Sequence, residues 1–154
     1  MTPARDAGGP VESSGERAGA STLVVHCSTY RFRRAFDEFI EKTLAIEDYD
    51  RIAVPGGPQF LAALEYLPKF AWVGNRWMKF LVQTHELRRV VLITHLDCNW
   101  YLRLLGTGAE MEARQREDLR QARDKLLELL PGLTVEAYFA IRRNGRVEFL
   151  PVAS

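Results

Sequence analysis

No stretch of this 154-residue chain approaches the roughly 20 consecutive apolar residues that a membrane-spanning helix needs, so a membrane is not an expected partner. Neither sign of charge dominates. Lys and Arg number 21 against 20 Asp and Glu, a net charge of +1, which gives no overall field to draw nucleic acid. A Gly-x-Gly-x-x-Gly or phosphate-loop pattern is missing, which removes the usual support for nucleotide binding. Residues 1–20 lack the apolar core of a secretory signal. They are rich in Gly, Ser, Pro and charge, and read as a disordered tail ahead of a single domain over 21–154. Cysteine is scarce, with two in the chain. Without a secretory route the expected location is the cytoplasm, where two cysteines more often signal metal binding or catalysis than a disulfide.

Those two cysteines stand in Cys27-Ser-Thr-Tyr-Arg31 and His95-Leu-Asp-Cys98. Each motif follows a strand-like run, Leu23-Val24-Val25-His26 before the first and Val90-Val91-Leu92-Ile93-Thr94 before the second. Two thiolates and an imidazole delivered by strand ends make a three-ligand zinc set, Cys27, His95 and Cys98. Three protein ligands with an open fourth position is the pattern of catalytic rather than structural zinc. A Cys27–Cys98 disulfide is the alternative, and it leaves His95 unexplained. His26 is expected to face away from Cys27 across the strand. His85, late in a helix, reads as a surface residue.

Strands are expected at Ser21–Cys27, Tyr49–Val54, Arg89–Thr94 and Thr134–Ile141. Helices are expected at Arg31–Leu44, Gln59–Leu67, Arg76–Glu86 and Glu110–Leu130. The third helix is expected to turn Trp77, Phe80, Leu81 and Thr84 inward, and the fourth, heavily charged, to carry an apolar stripe of Leu119, Ala122, Leu126 and Leu129-Leu130 beside a solvated face. Asn144-Gly145 signals a hairpin returning as Val147–Val152. The fold class is α/β, a mostly parallel central sheet flanked by helices and closed by a C-terminal β-hairpin. Gly56-Gly57 between two prolines marks a tight turn, either plain or set close against the cleft. Trp72, Trp77, Trp100, Tyr66 and Phe70 are read chiefly as core, with some available for a subunit interface.

The order Cys-x-x-x-Arg after the first strand, a glycine turn after the second and His-x-x-Cys after a Val/Ile-rich strand resembles the β-class carbonic anhydrases. That family's motif is Cys-x-Asp-x-Arg followed by His-x-x-Cys. Cys27, Arg31, His95 and Cys98 match it, Asp97 resembles its common form, and the likeness runs from about Ser21 to Val152. The resemblance implies one zinc ion per chain and reversible hydration of CO2 to bicarbonate by a zinc-bound hydroxide. It also implies a homodimer or higher homo-oligomer with the cleft at the subunit junction. Two positions depart from the pattern. Thr29 stands where the family has Asp, and Asn99-Trp100-Tyr101 replaces a small, Gly-rich helix start. Thr29 is expected to orient solvent through its hydroxyl, and Arg31 to hold an oxyanion or pair with Asp97. The alternatives are a catalytically inactive zinc-binding homologue with a binding or regulatory role, and a hydrolase of a CO2 analogue such as COS or CS2.

Overall fold

Six consecutive buried residues, Thr22–Cys27, form strand β1, an interior strand of the sheet. The structure is a computed structural model and describes residues 21–62, 68–105 and 109–153. After β1 come α1 (Arg33–Glu38), which runs on into a π-helical turn (Phe39–Thr43), β2 (Asp50–Val54), α2 (Gln59–Ala62) and α3 (Pro68–Thr84). β3 (Arg89–His95), α4 (Asn99–Leu105), α5 (Ala109–Leu129), β4 (Thr134–Arg143) and β5 (Arg146–Pro151) complete the order. The five strands lie in the order β2-β1-β3-β4-β5. β1 to β4 are mutually parallel, and β5 returns antiparallel on β4. Asn144 and Gly145 both have positive φ (50° and 74°), as a two-residue hairpin with the right twist requires.

Strand alternation divides the core. Leu23, Val25, Val90 and Leu92 face α2, α3 and α5 through Phe60, Leu61, Met78, Leu119 and Leu126. Val24, Val91 and Ile93 face α1 through Phe32, Phe36, Phe39 and Ile40. Both faces of the parallel sheet are therefore covered, which is why β1 and β3 read as uninterrupted apolar runs.

Two expected helices differ in extent or facing. α3 begins at Pro68, eight residues before Arg76, and buries Ala71, Gly74 and Met78. Trp77 and Phe80, expected inside, are 48% and 59% exposed. The helix turns its small residues inward because a Cβ on Gly74 would lie 2.0 Å from the Phe60 ring, so this contact admits glycine only. The aromatics are left outside. Leu81 is half-buried against the core, and Thr84 is exposed. α5 buries Gln115, Asp118 and Arg123 in addition to its apolar stripe. The expected helix Gln59–Leu67 is seen as far as Ala62, and its remainder, Tyr66 included, lies outside the described residues, as do residues 1–20.

Candidate metal centre

β1 and β3 are adjacent and parallel, with His26 level with Ile93, so Cys27 and His95 end neighbouring strands at the carboxyl edge of the sheet. β1 leads outward to β2 on one side, and the next crossover returns to β3 on the other. Such a reversal is where open α/β sheets open a crevice. Leu96 and Asp97, the latter at φ 57°, then turn the chain into α4, whose start carries Cys98. The Cys27 and Cys98 sulfurs and a His95 ring nitrogen all lie within 4.8 Å of one another, and all three residues are buried. Both cysteines are free, their Sγ atoms 3.8 Å apart, well beyond the roughly 2.05 Å of a disulfide.

The donors fit zinc. Two thiolates each about 2.3 Å from a tetrahedral ion stand about 3.8 Å apart by simple trigonometry, the spacing found here. His95 Nδ1 donates to the Leu96 carbonyl (2.8 Å), which leaves Nε2 as the lone-pair nitrogen, buried and without a hydrogen-bond partner. Phe32 holds the ring from one side, centroid to centroid 4.5 Å. The backbone amides of Thr29 beside Cys27, and of Trp100 and Tyr101 beside Cys98, favour the thiolate form of each sulfur. A hydrogen bond from the Cys98 thiol brings the Cys27 thiol down to about 4. The same hydrogen bond, burial and the neighbouring thiolate push Cys98 up.

A metal-free centre at neutral pH thus holds one thiolate and one thiol, and a metal that takes both sulfurs must displace a proton from Cys98. Apparent zinc affinity is expected to rise about tenfold per pH unit between about pH 6 and 8, with one proton released per ion. Chelator competition across that range checks the slope. A flat profile would mean both sulfurs are already ionised.

The glycine turn after β2 sits directly on this centre. A Cβ on Gly57 would lie 2.9 Å from the Cys27 nitrogen and 3.2 Å from the Ile93 carbonyl, and Gly57 N–H donates to the Val54 carbonyl (2.9 Å). Gly56 packs under the Trp100 indole. The turn is therefore the close approach, not a plain loop. Trp100 also borders a cavity of about 310 Å³ lined by Val54, Phe60, Phe70, Val73 and Trp77.

Arg31 donates from its guanidinium to the Asp97 backbone carbonyl (2.8 Å), so it does meet Asp97, through the main chain. Arg142 in turn donates to the Arg31 carbonyl (3.2 Å), tying the hairpin to this loop. Thr29 is half-buried, and its Oγ1 accepts from the Arg31 backbone N–H at 3.4 Å. His26 lies outside the donor cluster: its Nδ1 donates to the Cys27 carbonyl, its ring packs on Phe36 at 4.7 Å, and burial lowers its pKa. His85 is half-buried and pairs with Asp50 near the other end of the sheet.

A five-stranded sheet of this order, with two cysteines and a histidine gathered at the ends of β1 and β3, defines a carbonic anhydrase-like protein. Residues 18–150 match the family described as "Putative carbonic anhydrase", and the chain belongs to that family. It is 28% identical over 139 residues to an uncharacterized protein of Rickettsia conorii, covering 84% of this chain and 71% of that one. An uncharacterized protein of Rickettsia bellii is 24% identical over 134 residues, covering 84% and 80%. Among solved structures the fold is similar to the carbonic anhydrase of Streptococcus mutans (TM-score 0.57, 15% identity, 90% of this chain and 87% of that one). It is also similar to β-carbonic anhydrase isoform I of Trichomonas vaginalis (TM-score 0.53, 13% identity, 94% and 90%).

Proposed function

We propose that this protein is a zinc-dependent enzyme of the carbonic anhydrase type, interconverting CO2 and bicarbonate. The observation that carries the reading is the pair of sulfurs 3.8 Å apart facing an unpartnered, buried His95 Nε2. A zinc ion bound by Cys27, His95 and Cys98 supplies Lewis acidity, which makes a nucleophile from water near neutral pH. The chain's own residues do the rest. Leu96 fixes the His95 tautomer, backbone N–H groups steady both thiolates, and Arg31 is held at the edge of the site by the Asp97 carbonyl. Thr29 has no charge to offer, so its contribution is a hydroxyl that accepts or donates one hydrogen bond toward solvent. Arg31, without a carboxylate at position 29, is available to a bicarbonate oxygen through its remaining N–H groups.

A second reading, a zinc-binding homologue without hydratase activity, is favoured by one contact: the Thr29 hydroxyl caps the Arg31 backbone N–H. Stopped-flow CO2 hydration by the zinc-loaded protein separates the two. The enzyme reading expects a rate above buffer that rises with pH, and a loss of about 10- to 100-fold in Thr29→Ala with zinc retained. No rate above buffer in the wild type, with activity appearing in Thr29→Asp, would establish the second.

We further propose self-association through α3. The support is a run of large aromatics, Phe70, Trp72, Trp77 and Phe80, each 48–62% exposed along it, since exposed apolar clusters mark interaction surfaces.

A further inference from the structure

α5 carries two buried polar side chains that touch no donor atom and yet reach both motifs that supply them. Gln115 is fully buried, and its Nε2 donates to the backbone carbonyl of His95 at 2.7 Å. Asp118, three residues on and 1% exposed, accepts from the Tyr101 hydroxyl (2.9 Å), Arg114 Nε (2.8 Å) and Gln59 Nε2 (3.4 Å). Gln59 Oε1 accepts in turn from Trp100 Nε1 at 2.5 Å. Trp100 and Tyr101 lie in the first turn of α4, just after Cys98. One helix therefore grips His95 by its main chain, and through two side-chain routes it grips the two residues behind Cys98.

We propose that Gln115 and Asp118 are positioning residues of the metal centre, fixing where His95 and Cys98 present their donor atoms. The inference rests on the zinc reading above. A buried carboxylate and a buried amide are costly in a helix stripe that otherwise carries Leu119, Ala122 and Leu126, and they persist where their bonds are made. The bonds here are spent on the ligand-bearing segments rather than on α5 itself, apart from the i,i+4 contact with Arg114. Gln115 Oε1 has no partner among the described residues, so the amide's one bond is the one to His95. Hydrogen bonds behind metal ligands are worth about 10- to 100-fold in affinity where they have been removed.

The test uses the 154-residue chain. Zinc affinity is measured by competition with a chromophoric chelator, and Co2+-loaded protein supplies visible absorption bands that report ligand geometry. Gln115→Met and Asp118→Asn are each expected to weaken zinc binding about 10- to 100-fold and to shift the Co2+ bands. Glu128→Gln, on the exposed side of α5, should do neither. Should either buried variant fail to fold, Tyr101→Phe removes a single hydroxyl and is expected to shift the bands in the same direction. Wild-type affinity and spectrum in variants whose metal-free melting temperature has fallen would overturn the proposal, showing the network to be packing alone. A wild-type chain that binds neither ion would overturn the zinc reading and this inference with it.

Discussion

Replacing any one of Cys27, His95 or Cys98 is expected to empty the site of zinc at ordinary purification concentrations. The free energy of a zinc ion held by protein side chains is about 10–16 kcal/mol in small structural sites. One donor in three is then worth roughly 3–5 kcal/mol, a factor of about 10² to 10⁴ in affinity. Cys98→Ser should show the loss most cleanly, because serine nearly keeps the size of the side chain while its hydroxyl does not ionise. Equilibrium dialysis against zinc reads the outcome. His26→Ala is the contrasting variant, since His26 packs on Phe36 outside the donor cluster, and it should retain its zinc. Equal loss in His26→Ala would show that the wrong imidazole has been assigned.

The second large effect is expected at Gly57, and it falls on folding as well as on the site. A side chain there meets backbone on every side: the Cys27 nitrogen at 2.9 Å, the His26 carbonyl carbon at 3.0 Å and the Ile93 oxygen at 3.2 Å. Those atoms belong to the two central strands and have no room to retreat. The residue also sits at φ +55°, which a β-branched side chain resists. Strain of about 1–3 kcal/mol and overpacking of about 1–3 kcal/mol put Gly57→Val at roughly 2–6 kcal/mol less stable. Denaturant unfolding checks this. Gly132→Val is the contrasting variant: an added Cβ there meets nothing within 4 Å, so at φ +102° it carries backbone strain without the overpacking. Stability within 1 kcal/mol of wild type for Gly57→Val would mean the turn does not pack on the centre as described.

The features legible in the sequence were those set by local chemistry. β1 and β3 show as apolar runs because both faces of a parallel strand are buried. The hairpin shows because Asn144-Gly145 adopts the positive φ its turn needs. The gathering of Cys27, His95 and Cys98 was legible because Cys27 and the His95/Cys98 pair each follow such a run. The facing of α3 was not, because bulk does not decide burial there. Trp77 and Phe80 look like core, yet close packing on Phe60 selects Gly74 and Ala71 for the inner side and turns the aromatics out. The apolar stripe of α5 at Leu119, Ala122 and Leu126 was legible by its spacing, but the helix's charge density hid Gln115 and Asp118, which are buried beside it. A polar residue in register with an apolar stripe was the available signal. The π-helical turn at Phe39–Thr43 had none; within it Phe39 packs on Tyr138 and Phe149, contacts across the core that local spacing does not show.

X-ray absorption at the zinc edge of the purified 154-residue chain reads the proposed ligand set itself. One zinc per chain is expected, with two sulfur scatterers at about 2.3 Å, one imidazole nitrogen at about 2.0–2.1 Å and one light-atom ligand from solvent. A purified chain without zinc that will not take it up, or a zinc whose shell contains fewer than two sulfurs, would contradict the zinc reading.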